Sequence, residues 1–533
     1  MSTTPQPGPQ QLPWGAWGPR RPLPPAVGEL LGQFLGLPPH PAPPVPLEAV
    51  ELAPSRLTEA ALAGLAAATG PEHVHASRAE RLRHTGGRST TDLLRRRAGD
   101  ARHAPDAVLM PGSHDEVLGV LAAAERHRLA VVPFGGGTSV TGGVEALAGG
   151  LDAVITLDLA RMDKLISIDV DAQAATMQAG MAAPRAARLL AARGVMLGHE
   201  PQSAEYATIG GFAATRSAGQ ASAGYGRFDD MVLALRAATP RGTLAAGRAP
   251  ASAAGPDLRQ LLLGSEGAFG VITEVTLAIR DLPQETADEA WQFPGLAAGI
   301  AALRSLTLAA PGAVTMARLS DETETSVQGL ESGHAASGCL LLVSIEGTAE
   351  SVAARRRQAT EVLREHGGRA GAPELVAGWR RSRFDAPYLR DSLLDAGALA
   401  ETLETATSWG NLAALHQSVR GALTATLTAA GTPPVVMCHV SHVYRSGASL
   451  YFTVVAAQAG DPIGQWAAAK RAASAAILAG GGTITHHHAV GLDHRDYLTA
   501  EIGELGVTVL RAVKSALDPA GIMNPGKLIP PAD

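Results

Sequence analysis

The run Pro133-Phe134-Gly135-Gly136-Gly137-Thr138-Ser139, continuing through Val140 and Thr141 to Gly142 and Gly143, has residue types suited to chemistry. Successive glycines let backbone N–H groups approach phosphate oxygens without side-chain obstruction, so the run suits an anion cradle. It has no Gly-Lys-Ser/Thr of a P-loop, and its glycines do not open a helix in the G-x-G-x-x-G register, so a different diphosphate-cofactor fold is implied. A second such stretch is His486-His487-His488, framed by Gly481-Gly482 and Gly491. On an extended segment His486 and His488 share a side and His487 faces the other, so two rings and nearby N–H groups could grip a phosphate. The framing glycines favour a constrained loop over a surface accident. A metal site from His486, His488 and one of His439, His442 or His494 is the competing arrangement, but the nearest acids, Asp493 and Asp496, lie beyond Gly491, and no metal is assigned. His439 and His442 have opposite parity, so at most one shares the face of Tyr444, and both read as structural. Taken alone, Tyr451 in its apolar strand reads as core, and Arg390 as an ion pair with Asp391.

The elements around the glycine run are legible. Residues 107–110 predict a short strand, Ser113-His114-Asp115-Glu116 a capping box opening a helix, and residues 129–133 a strand ending in the run itself. Residues 231–238 predict a strand, Pro240-Arg241-Gly242 a turn, and Val271, Thr273, Val275, Leu277 and Ile279 one face of another strand, with Pro283 as a domain end. Further on, strands at 314–319, 340–345, 435–443 and 450–455 mix with helices at 352–366, 412–429 and 465–478, which suggests an α+β second domain. Residues 1–46 hold 14 of the 36 prolines together with Trp14 and Trp17, the pattern of a docking arm, with a short helix over 27–37 before Pro38. The Arg-rich stretch 78–102 reads as a solvated helix face rather than a phosphate site.

Composition bounds the rest. The chain has 533 residues, 44 Lys and Arg against 50 Asp and Glu, and a net charge of −6, which argues against nucleic acid as a partner. Its two cysteines, Cys339 and Cys438, exclude a disulfide scaffold. No apolar run reaches the ~18 residues of a spanning helix and the N-terminus lacks the layout of a signal peptide, so a cytoplasmic location is expected.

Three separated segments match one family. Pro133–Ser139; His199-Glu200-Pro201-Gln202-Ser203-Ala204-Glu205-Tyr206-Ala207-Thr208 with Gly210-Gly211 and Thr215-Arg216-Ser217-Ala218; and Gly264-Ser265-Glu266-Gly267-Ala268-Phe269-Gly270-Val271-Ile272 resemble the FAD-binding segments of the vanillyl-alcohol oxidase/p-cresol methylhydroxylase superfamily. The resemblance implies an α+β fold. A two-subdomain FAD-binding domain over 101–283 would follow an N-terminal arm and helical region over 1–100. A cap with an antiparallel sheet would span 284–485, and a C-terminal segment over 486–533 would close the active site and pack back on the FAD domain. Those three segments would bind FAD, and since the loop offers Thr138 and Ser139 but no attachment residue, the flavin is expected to be held non-covalently.

Within that superfamily, Tyr388-Leu389-Arg390-Asp391, Cys438-His439-Val440-Ser441-His442-Val443-Tyr444, Gly447-Ala448-Ser449-Leu450-Tyr451-Phe452 and the Gly481–Gly491 stretch with its triplet are similar to the alkylglycerone-phosphate synthases. These enzymes exchange the acyl group of acyl-dihydroxyacetone phosphate for a fatty alcohol, through a flavin N5 adduct and without net redox change. By position, Tyr451 would be the acid/base, Arg390 would face the substrate head with Arg318 as a further substrate arginine, His486, His487 and His488 would line the phosphate end, and His199 would sit by the flavin. A tyrosine beside cations can have its pKa lowered enough to act as a base. The implied partners are a lipid substrate with a phosphate head and a long-chain alcohol, and the resemblance is compatible with peripheral membrane contact and a homodimer. Three positions depart from the family: Arg445 stands where an acid is commoner, Gln202 replaces an acid, and Ala489 replaces a glycine. The rival reading is an FAD-dependent 2-hydroxy-acid dehydrogenase of the D-lactate or glycolate type, or another FAD-linked oxidoreductase. Such relatives carry Gly-Glu-His-Gly where this chain has His486-His487-His488-Ala489.

Overall fold

The strand, helix and strand expected ahead of the glycine run form as Ala107–Leu109, His114–Arg126 and Leu129–Phe134. The structure, a computed structural model, describes residues 12–23, 25–37, 43–332 and 338–531. Ser113 caps the helix by accepting the Glu116 N–H, but the Glu116 carboxylate takes the N–H of Gly112 at 2.7 Å, so the capping box is one-sided. Both strands pair in parallel with Ala153–Asp158, an entirely buried run lying between them, and Val74–His75 pairs antiparallel outside. The glycine run leaves the C-terminal end of a parallel strand, where open α/β sheets bind their ligands.

A second sheet of five antiparallel strands has the order Leu165–Asp169, Ala174–Gln178, Val271–Ala278, Val232–Thr239, Gly242–Ala246. One apolar cluster runs through both sheets, from Leu65 and Leu121 to Phe212, Val275 and Met523. Beyond Pro283 lies a seven-stranded antiparallel sheet in the order Arg369–Ala370, Glu285–Phe293, Cys339–Gly347, Met316–Ser320, Val435–Val440, Gly447–Ala457, Ala398–Ser408. Its core buries Leu341, Val440 and Phe452 against Leu415 and Val419 of helix Leu412–Ala429 and Trp466 of helix Pro462–Ala479. The pairing sets Tyr451 opposite Glu404 on one flank and His439 on the other, so the three share a sheet face.

The arm docks as its aromatics require. Trp17 is buried edge-on to Tyr206 at 5.1 Å, and its backbone N–H donates to the Asp391 carboxylate at 2.5 Å. The Arg-rich stretch corrects the solvated-face expectation: Arg81, Arg88 and Arg96 are buried. The guanidinium of Arg81 is spent on the carbonyls of Ala53 and Pro105, and that of Arg88 on the carbonyls of Pro13 and Gly87. At the other end, the segment after helix Leu498–Leu517 returns to the first sheet, with Val131 donating to Ile522 and Asn524 donating back to Val131, both at 2.8 Å.

Candidate functional site

The glycine run is pressed against residues 206–208. A Cβ on Gly135 would lie 2.3 Å from Thr208 Oγ1, one on Gly136 would lie 1.9 Å from the Tyr206 carbonyl oxygen, and Gly137 holds a φ of +66°. Only glycine fits such an approach. Among the described residues, the backbone N–H groups of Gly136, Gly137, Thr138, Ser139 and Val140 have no protein acceptor. Alongside runs the second segment, where Gln202 Nε2 and His199 Nδ1 are buried without partners, as is Ser265 Oγ of the third. His199 is packed edge-on between Phe212 and Phe228 with its Nε2 3.1 Å from Ser217 Oγ, and burial pushes its pKa down to about 3, so the ring is neutral. A row of unused N–H groups beside buried polar atoms without partners suits a diphosphate cofactor with a hydrogen-bonding ring, so the residues present fit FAD.

Other members of the three segments are engaged by protein partners. Glu205 accepts the Tyr388 hydroxyl at 2.8 Å and Trp17 Nε1 at 3.3 Å, tying the segment to cap and arm. Thr208 caps helix Ile209–Thr215 by accepting the Gly211 N–H, and Thr215 bonds back to the Gly211 carbonyl. Arg216 donates to the Leu263 carbonyl and Gln260 and pairs with Asp229. Glu266 accepts the N–H groups of Val490 and Gly491, each at 2.8 Å, and burial pushes its pKa up to about 7. Gly267 packs on Pro133, Ala268 and Phe269 join the apolar cluster of Leu528, and Val271 and Ile272 begin the sheet strand. These side chains hold the cradle in place from behind. The side chains of Glu205, Arg216 and Glu266 thus already have protein partners.

The triplet corrects a second expectation. His486, His487 and His488 do not alternate across an extended segment, because the buried carboxylate of Glu404 accepts the backbone N–H of all three, at 3.1 Å from His487 and 2.8 Å from His488, together with the Thr485 hydroxyl at 2.6 Å. Three consecutive N–H groups turned on one carboxylate require a tight bend. The following Ala489 accordingly takes a φ of +73°. Burial alone would raise the Glu404 pKa, but the facing imidazoles and the Thr485 hydroxyl hold it well below the usual carboxylate range, and its four donors require the ionised form.

The bend gathers the rings around Tyr451. His439 stacks on Tyr451 at 5.0 Å and 22°, His487 stacks at 5.9 Å and 17°, and His488 stands edge-on at 5.6 Å. His442 stacks on His486 at 5.0 Å, and His442, His486 and His487 bring one ring nitrogen each within 4.8 Å of one another. The Tyr444 hydroxyl lies 2.6 Å from His486 Nε2, and His486 Nδ1 lies 2.9 Å from His487 Nδ1, so one neutral tautomer set joins the three by hydrogen bonds. His439 and His442 therefore belong to the site, contrary to their structural reading. Burial pushes His486 and His488 down to about 3 and lowers His487 and His442 as well. It also pushes the Tyr451 phenol up to about 12, outweighing the lowering effects of Thr402 and Arg390, so the expected lowered pKa is overturned and the resting group is a neutral phenol.

Arg390 donates to the Arg88 carbonyl at 2.8 Å, while the Arg88 N–H donates to Ser139 of the glycine run at 2.6 Å, and its own Nε is buried without a partner. Its ion pair with Asp391 does not form, since Asp391 takes the Trp17 N–H and faces Arg97 at 4.0 Å. Arg318 pairs with Glu324 at 2.6 Å and touches His439 Nε2 at 3.0 Å, so it orients the ring stacked on Tyr451. Cap and cradle meet at Thr141, whose hydroxyl donates to the His488 carbonyl at 3.2 Å. Glu404 and Arg88 stand in the site without having been singled out in the sequence, and His439 and His442 join it in place of their structural reading. The His439-x-x-His442 spacing was a visible signal, whereas Glu404 offered none.

Residues 105–246 match the FAD binding domain family, and residues 282–528 match the C-terminal domain of the FAD linked oxidases. The alkyldihydroxyacetonephosphate synthase of Dictyostelium discoideum is 31% identical over 486 residues, which cover 86% of this chain and 79% of that protein. A solved alkyldihydroxyacetonephosphate synthase superposes with a TM-score of 0.82 at 27% identity, covering 97% of this chain and 98% of that one. A substrate-bound p-cresol methylhydroxylase, at a TM-score of 0.70 and 16% identity over 90% of this chain and 99% of that one, shares the fold. With two FAD-oxidase domains in order and a relative matched along most of its length, the chain belongs to the alkyldihydroxyacetonephosphate synthase family of FAD-dependent enzymes.

Proposed function

We propose that the chain is an FAD-dependent alkyldihydroxyacetonephosphate synthase that replaces the acyl group of acyl-dihydroxyacetone phosphate with a fatty alcohol, forming an ether lipid. The observation that carries this is Tyr451 enclosed by His439, His487 and His488 on the cap, directly across the Thr141–His488 bond from the glycine cradle. Gly136–Val140, Gln202, Ser203 and His199 would hold FAD, which supplies a ring system able to accept the carbon beside a ketone. The neutral Tyr451 phenol donates a proton to oxygen that becomes negative at the substrate's ketone end, and the charge of Arg390, which acts on Tyr451, stabilises the phenolate this leaves. The histidine bend takes the phosphate. Exposed Leu505 and Val509, one turn apart after the break at Gly503 in Leu498–Leu517, together with exposed Ile502 just before it, support peripheral contact between a cytoplasmic protein and a lipid surface.

Two results test the reading. Acid precipitation should release free FAD from a yellow protein, and flavin remaining with the pellet would refute non-covalent binding. His486→Ala and His488→Ala should raise KM for acyl-dihydroxyacetone phosphate roughly ten- to a hundred-fold with flavin content intact, the effect of losing a charge-assisted bond to phosphate. Unchanged kinetics in both would remove the phosphate from the triplet.

A further inference from the structure

Glu404 lies beneath the histidine bend, with Glu501 on the Thr483 hydroxyl and the Ile484 N–H ahead of it at 2.7 and 3.0 Å, and its position suits more than holding a loop. Its two oxygens take the N–H groups of His486, His487 and His488, and they lie 3.8 Å from His487 Nδ1 and 3.9 Å from His488 Nδ1. The other charged groups facing the bend are already paired: Arg227 of helix Phe228–Met231's N-cap with Asp229 at 3.0 Å, and Lys470 of helix Pro462–Ala479 with Asp493 at 2.7 Å. The remaining titratable neighbours are His442 and Tyr444 from the connection after Val435–Val440, Tyr451 from Gly447–Ala457, and His494 behind His488. Arg390 acts on Tyr451 by charge and meets only the Arg88 carbonyl; apart from it, none of these groups offers a free positive charge. A dianionic phosphate brought to these buried rings must therefore be neutralised where it arrives.

We infer that binding of a phosphate head at the bend draws a proton from bulk solvent onto its imidazoles, and that Glu404 is the positioning residue whose fixed negative charge makes that uptake possible. The inference rests on the phosphate placement proposed above. In the free protein burial keeps the rings neutral, so an incoming dianion raises their proton affinity from below the working pH and a proton is taken up. Glu404 adds to this because it lies within about 4 Å of two ring nitrogens, while a phosphate gripped by the far side of the rings lies further off, so attraction to the imidazolium outweighs repulsion of the phosphate. Affinity should fall as pH rises through the pKa of the ligand-bound rings.

The test is calorimetric titration of the FAD-loaded enzyme with dihydroxyacetone phosphate at about pH 8, where a phosphate monoester is a dianion, in two buffers of different ionisation enthalpy. The expected result is buffer-dependent heat showing proton uptake by the wild type. In Glu404→Gln, uptake should be lost and affinity should fall at least about tenfold, with the flavin spectrum preserved, and Glu404→Asp should recover part of the uptake. Binding by the wild type without proton uptake would overturn the coupling, whatever the variants do, and leave the phosphate placement standing. Undiminished uptake in Glu404→Gln would overturn the role of Glu404. Equal affinity in wild type, His486→Ala and His488→Ala would overturn the phosphate placement and the coupling together.

Discussion

Gly136→Ala is expected to give a folded protein that purifies without its flavin. The added Cβ would lie 1.9 Å from the Tyr206 carbonyl oxygen and 2.6 Å from the carbonyl carbon, and both are backbone, so no side-chain rotation relieves the contact. The glycine run would have to withdraw from residues 206–208 by more than an ångström. The N–H groups of Gly136–Val140 would move with it, away from the segment that carries Gln202 and His199. Forced overpacking costs roughly 1–3 kcal/mol, which alone is on the order of ten- to a hundred-fold in FAD affinity, and displacement of several donors at once adds to it. The core sheets are untouched, because the run is a loop past the end of Leu129–Phe134. The measurement is the ratio of flavin to protein absorbance after purification, followed by titration of the apoprotein with FAD. Gly421→Ala, at a helix position with nothing within 4 Å of the new methyl, is the matched control and should stay yellow. A Gly136→Ala protein with a full complement of FAD would mean that the cofactor is held elsewhere.

Local chemistry made that cradle legible. Glycine succession, the capped helix His114–Arg126 and the apolar strand before the loop are signals within a few residues of one another, and each formed close to where it was expected. The site on the cap is different in kind. Glu404 stands 82 residues before His486 in the strand Ala398–Ser408, where Glu401 and Glu404 have opposite parity and no period marks either as a site residue. Only the pairing of that strand with Gly447–Ala457 turns Glu404 toward the triplet. Parity within His486–His488 holds only for an extended chain, and here a distant carboxylate bends the segment. The same holds for Arg88, whose burial depends on loop carbonyls and on Ser139, and for Asp391, drawn from its neighbour Arg390 by the Trp17 N–H. What escaped was long-range polar pairing, which composition and period do not record.

Tyr451→Phe should keep substrate binding and lose turnover by roughly 10²–10⁴-fold, the usual worth of a positioned acid or base. The substitution preserves the ring that stacks on His439 and His487 and removes only the hydroxyl. Because burial pushes the phenol up to about 12, Tyr451 carries its proton throughout the neutral range, so the wild-type turnover profile should show no alkaline limb belonging to this residue below about pH 10. Arg390→Lys separates the neighbouring role. Its guanidinium reaches the Arg88 carbonyl and acts on Tyr451 by charge, so a lysine keeps the charge but loses the planar fork, and the loss should fall on substrate affinity as well as on turnover. Flavin content must be equal in both variants, since Arg390 is joined through Arg88 to Ser139 of the cradle and a displaced cofactor would mimic either result. Near-normal turnover of Tyr451→Phe at saturating substrate would make the tyrosine a packing residue and move the proton transfer to the rings around it. His487 would then be the first to replace, since it stacks on Tyr451 and joins the hydrogen-bonded histidines to Glu404.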